Sequence, residues 1–93
     1  MSVEEQLRVL KCVSDRTRLQ ILRLLKEGEK CVRDMVEIIN QEQSLVSHHL
    51  REMRKCGLVK TRREGKRIIY RLADDSIVRL LDDVDLISKK FCR

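Results

Sequence analysis

Three sets of side chains in this 93-residue chain have types and spacings suited to chemistry: a run of bases, a pair of histidines and four cysteines. Between Gln41 and Leu72 stand nine Lys and Arg against three acids, a net of +6, while the remaining twelve bases and twelve acids cancel. A localised positive footprint suits a phosphate backbone, because each neutralised phosphate releases a condensed counterion. A basic face that is merely solvated is the plainer alternative. His48 and His49 are adjacent, and neighbours on a helix point about 100° apart, so they do not converge on one ion. His48 reads better as a nucleic-acid contact, with His49 partly packed.

The thiols are more open. Soft ions such as As(III), Cd(II) or Pb(II) want two to four thiolates at one point. Cys12, Cys31, Cys56 and Cys92 contain no Cys-x-x-Cys pair, so a site would be assembled from distant segments or across a dimer. Cys31 opens a helix, where the dipole favours a reactive thiolate. Cys92, next to last, is easily reached, so a Cys31–Cys92 or Cys56–Cys92 disulfide or polysulfide link competes with metal binding. Cys12 reads as a small buried hydrophobe.

Positioning these groups takes five helices and one hairpin. Proline is absent, and Gly28, Gly57 and Gly65 each stand at a boundary. The first helix is expected over about Val3–Val13, with Leu7, Leu10 and Val13 inward. A second, about Asp15–Lys26, sets Leu19, Leu22 and Leu25 on one face. A third, about Val32–Ile39, buries Val32, Met35, Val36 and Ile39. A fourth, about Ser44–Cys56, buries Val46, Leu50 and Met53. Val59–Arg63 and Arg67–Leu72 form a hairpin around Gly65. The last helix, about Asp74–Phe91, carries Ile77, Leu80, Val84, Ile87 and Phe91 as a heptad-like seam, long enough to pack on a second copy of itself.

Helices three and four, joined by the polar stretch 40–43, have helix-turn-helix proportions. With Val46, Leu50 and Met53 inward, Gln43, Ser44, Ser47, His48 and Arg51 face outward near the helix N-terminus, and Arg54 extends the basic face. Small hydroxyls let a helix approach the major groove, while Gln, His and Arg reach base edges. The hairpin then presents Arg62, Arg63, Lys66 and Arg67 to the backbone or minor groove. The length predicts one domain, 1–93, near the lower limit for a single core. The acidic start and the lack of a long apolar run predict a cytoplasmic protein with no membrane partner and with reduced thiols.

Glu42-Gln43-Ser44-Leu45-Val46-Ser47-His48-His49-Leu50, followed by Gly57-Leu58-Val59, resembles the recognition helix and wing of the ArsR/SmtB family of small winged-helix repressors. Ser14-Asp15-Arg16-Thr17-Arg18-Leu19 is similar to the start of that family's second helix, with Arg16 in place of proline, and Tyr70 and Leu72 match the close of its wing. The likeness spans nearly the whole chain. Glu42 in place of an N-capping serine and Leu45 in place of threonine depart from it. The resemblance implies a mainly α fold with a small β-hairpin, a winged helix-turn-helix of order α1-α2-α3-α4-β-β-α5. It further implies a homodimer through the first and last helices, with Leu7, Leu10, Ile77, Leu80, Val84, Ile87 and Phe91 at the interface. A double-stranded operator would be its partner, released when an inducer binds.

No resident cofactor is implied. The inducer expected from the resemblance is a thiolate-bound metal or metalloid, As(III), Cd(II) or Pb(II), or else an oxidant or sulfane sulfur. The family's interhelical zinc ligands have no counterpart, since Asp74-Asp75-Ser76 is followed by no histidine. Cys31-Val32-Arg33-Asp34 resembles half of a Cys-Val-Cys-Asp metal motif. Cys56 resembles a ligand position of another cadmium and lead sensor type, which adds a cysteine one turn earlier, where this chain has Glu52, and one near the C-terminus, where this chain has Cys92. Cys12 lies on the expected dimer helix. Two rival classes fit less well. There is no Ser-His-Asp or Cys-His set and no phosphate-binding glycine loop for an enzyme. The other rival is a non-sensing, sequence-indifferent architectural DNA-binding protein, which would not discriminate an operator from random duplex, or an RNA module, which would stack bases on exposed aromatics, for which only Tyr70 is placed.

Overall fold

The structure is a computed structural model that describes residues 2–92. Its helices are α1 (Val3–Val13), α2 (Arg16–Glu27), α3 (Val32–Ile39), α4 (Gln43–Lys55) and α5 (Asp75–Phe91). Its strands are β1 (Lys30–Cys31), β2 (Val59–Glu64) and β3 (Arg67–Leu72). The hairpin lies between α4 and α5, as the sequence predicts. The two-residue β1 goes beyond that expectation, and it makes the hairpin the larger part of a three-stranded antiparallel sheet, ordered β1-β3-β2.

Local chemistry sets the helix ends. Ser2 and Glu5 form a capping box at α1, which satisfies two amides that the first turn leaves without partners. The Asp15 carboxylate accepts from the Arg18 amide at 3.0 Å to start α2, and Asp74 accepts from the Ser76 amide at 2.9 Å to start α5. Asn40 ends α3 in the left-handed conformation. Its short polar side chain tolerates that geometry, and the bend it makes is the turn of the helix-turn-helix. Gly65 adopts φ +63, so Gly65-Lys66 joins the strands in a tight reversal with Glu64 opposite Arg67.

One core holds these elements together. Ile21, Leu22, Met35, Val46, Leu50 and Met53 are fully buried, ringed by Cys12, Leu25, Leu58, Val59, Tyr70, Ile77 and Leu81. Each such aliphatic side chain contributes about 1.5–3 kcal/mol by leaving water. The inward face expected for α4 is observed in full, and on α3 Met35 is buried while Val32, Val36 and Ile39 are half-buried against the core. Two expectations need correction. Leu7 and Leu10 do not point into the core but stay exposed, because Cys12 is the α1 side chain that α2 and α4 enclose. Ile77 is 8% exposed within the protomer's own core, so it is not free to join a seam. The first turns of α5 lie on the sheet, and only beyond Leu81 does the helix present apolar side chains outward.

Candidate nucleic-acid interface and thiol pair

Helix α4 is held by its buried face, Val46, Leu50 and Met53, and so fixes which side chains look outward. Gln43, Ser44, His48, Arg51 and Arg54 are exposed, and Ser47 is half-exposed. Glu42 occupies the N-cap with no side-chain bond to the first turn, so the leading amides of the helix point out without a capping carboxylate. They favour negative charge at that end. Leu45, also exposed, adds an apolar contact to the same end.

His49 faces the other way. Its ring is half-buried, and Arg18 Nε donates to its Nδ1 at 2.9 Å. Arg18 also reaches the Cys12 carbonyl through Nη1 at 3.4 Å, and Asp15 lies 3.8 Å from His49 Nε2. Burial pushes the His49 pKa down, and the Arg18 charge adds to this against the pull of Asp15. His49 is therefore a neutral strut between α2 and α4, leaving His48 alone on the outer face.

In the wing, the four bases separate into two kinds. Arg63 and Lys66 are exposed with no acidic partner among the described residues. Arg62 is clamped instead, with Nη2 and Nε 3.1 and 3.3 Å from the Glu29 carboxylate and Nη1 2.7 Å from Glu64. Arg67 donates through Nη2 to the Cys31 sulfur at 3.5 Å. Tyr70, the aromatic placed for base stacking, is buried and offers no such platform.

The cysteines pair differently from the sequence expectation. Cys12 of α1 and Cys56, which closes α4, are disulfide-bonded with 6.6 Å between their α-carbons. Neither four reduced thiols, nor an isolated buried Cys12, nor a Cys56–Cys92 link describes this structure. Cys31 and Cys92 are both free. The pair arises because α1 crosses the end of α4, a tertiary contact with no trace in local spacing. Cys31 is buried at the N-cap of α3, on a cavity of about 550 Å³ shared with Val32, Arg33, Asp34, Arg67 and Ile68. Among the described residues, no three His, Cys, Asp or Glu side chains converge as metal ligands.

Residues 15–61, from the cap of α2 into the wing, match the family described as "Bacterial regulatory protein, arsR family". The chain belongs to the ArsR family. It is 41% identical over 76 residues to the cadmium resistance transcriptional regulatory protein CadC homolog of Staphylococcus aureus, covering 81% of this chain and 63% of that one. It is 35% identical over 88 residues to the arsenical resistance operon repressor of Staphylococcus xylosus, covering 95% and 85%. The homodimeric winged helix-turn-helix DNA-binding domain of a possible ArsR-family regulator from Mycobacterium bovis superposes with a TM-score of 0.90 at 32% identity, over 98% of this chain and 84% of that one. This ArsR-family chain is thus a winged helix-turn-helix regulatory protein of a DNA-binding family, and not an enzyme. No helix among the described residues is long and apolar enough to cross a membrane.

Proposed function

We propose that this chain is a cytoplasmic homodimeric repressor, holding a double-stranded operator through α4 and the wing and releasing it when an inducer engages the Cys12–Cys56 thiols. The observation that carries the reading is the placement of that pair. It joins α1, which bears exposed apolar side chains, to Cys56, the residue that caps the end of the helix that would read DNA. A change of state at the two sulfurs thus acts on the dimer helix and the recognition helix together. The inducer is a thiophilic metal or metalloid such as As(III), Cd(II) or Pb(II), for which two adjacent thiolates are the soft donors required. The cadmium and arsenical relatives support that class. Once a thiol reductant has supplied two electrons and opened the bond, the protomer offers two thiolates at this place, so a further sulfur would come from elsewhere in the dimer, with exposed Cys92 the available one.

A second reading is supported by the disulfide itself. Two thiols that sit close enough to bond lose two protons and two electrons to a peroxide or polysulfide, and the closed pair then holds α1 to α4. Anaerobic ultraviolet titration of the fully reduced protein with Cd(II) and then As(III) separates the two, with free thiols and DNA affinity followed in parallel. A saturating thiolate-to-metal band with loss of DNA binding is the expected result, absent in Cys12→Ser and Cys56→Ser. No band, with DNA released only after mild oxidant, transfers the function to the disulfide. DNA affinity indifferent to both treatments would refute an inducer site at this pair.

A further inference from the structure

The sheet has an outer face that the core does not reach. Strand alternation puts Cys31 of β1, Arg67, Ile69 and Arg71 of β3, and Lys60, Arg62 and Glu64 of β2 on that face. The register sets Cys31 and Arg62 on either side of Ile69. Cys31 and Ile69 are each 6% exposed, yet neither belongs to the main core cluster. The side chains beside them are long arginines, whose aliphatic stems cover apolar neighbours while the guanidinium stays at the surface. All three nitrogens of the Arg62 guanidinium are engaged, two on Glu29 and one on Glu64. Glu29 directly precedes β1, at one edge of the sheet, and Arg62 belongs to β2, at the other. The ion pair therefore spans the sheet over β3.

From this geometry we infer that Arg62 is a wing-positioning residue anchored by Glu29, and that it is not one of the wing's phosphate contacts. The inference rests on the reading that the wing meets DNA. An isolated exposed ion pair does little, but two-point Arg–carboxylate contact within a network is the arrangement in which such pairs matter. Here the pair also compensates for a short attachment, since β1 is only two residues long and gives the wing little backbone support. With two carboxylates at its side, Arg62 has its charge balanced before DNA arrives, so it displaces few counterions. Arg63, one residue on, points to the opposite face and has no such partner.

Salt dependence reads this difference directly. Affinity for a mixed-sequence DNA duplex is measured across a salt series for wild type, Arg62→Gln, Arg63→Gln and Glu29→Gln, and amide hydrogen exchange of the wing is followed without DNA. Removing one cation from a phosphate lowers the slope of log affinity on log salt by about 0.9. Arg63→Gln should show that decrease in each protomer. Arg62→Gln should weaken binding while keeping the slope near that of wild type. Glu29→Gln should steepen the slope, because the released guanidinium becomes free to meet phosphate. Both clamp variants should speed exchange at wing amides. A slope reduced equally by Arg62→Gln and Arg63→Gln, with Glu29→Gln unchanged, would make Arg62 a phosphate contact and overturn the inference. Unaltered wing exchange in both clamp variants would overturn it as well. A wild type that binds no duplex would remove the repressor reading, while the exchange comparison would still decide whether the clamp holds the wing.

Discussion

Arg63 and Lys66, at the tip of the wing, have no acidic partner among the described residues, and that is the property counterion release depends on. Arg63→Ala and Lys66→Ala should each weaken binding on every duplex and flatten its salt dependence, by about 0.9 in slope for each phosphate left without its cation. Ser47→Ala or His48→Ala should instead blunt discrimination between a selected operator and random DNA, by about 1–3 kcal/mol for each base pairing removed. Competition binding on the two kinds of duplex distinguishes these outcomes. Side-chain type and helical phase made the outward placement of Ser47 and His48 legible in the sequence, as the hairpin pattern did for Arg63. They could not show that Arg62 engages Glu29 and Arg67 engages Cys31, because those partners lie some thirty positions away in the chain. His49 makes a third prediction. Its pKa is lowered from 6.5 in the fold, first by burial, so the unfolded chain takes up a proton more readily than the native one. Stability from this group is complete above about pH 6.5 and is lost as pH falls below it, until the native pKa is reached. Melting temperatures across this range should fall with pH in wild type, and His49→Gln should flatten that fall. Equal slopes in the two proteins would mean that burial in the fold does not shift the titration of His49.

At the scale of elements, the helices were readable because each carries its own periodicity and boundary residues. Helices α1 and α3 coincide with their expected bounds, α2 and α4 are each shifted by one residue at both ends, and α5 starts one residue later. Strand β1 was not readable, since two residues have no period. Lys30 and Cys31 become a strand only because Tyr70 and Ile69 are there to pair with them. The Cys12–Cys56 bond is invisible for the same reason, as it records how α1 lies across α4. That bond closes a segment of 44 residues, and cross-links of this kind typically add about 2–4 kcal/mol by restricting the unfolded chain. Reductant should therefore lower the melting temperature of wild type and leave Cys12→Ser unmoved. If Cys12→Ser is as stable as the oxidised protein and wild type ignores reductant, the bond has no part in holding α1 to α4.

The whole molecule leaves apolar surface that one chain does not use. Leu10 of α1 is 54% exposed, and on α5 Ile87 and Phe91 are 53% and 77% exposed, with Val84 one turn before them. Exposed apolar side chains of this kind suit an interface, and the inward turn of Ile77 and Leu81 explains why they begin only in the second half of α5. A two-fold dimer through this patch would set two α4 helices on one side, at a spacing to be matched to a helical turn of DNA, about 34 Å. Affinity and salt dependence would then both reflect two wings and two recognition helices. Ile87→Glu and Leu10→Glu place a charge in the patch without touching the core. Each should give a folded monomer by sedimentation and circular dichroism, with a salt slope about half that of wild type, because one protomer then meets half the phosphates. Monomers that kept the full slope and affinity would show that a single chain suffices to hold DNA. Dimers that survived both substitutions would place the interface on another face.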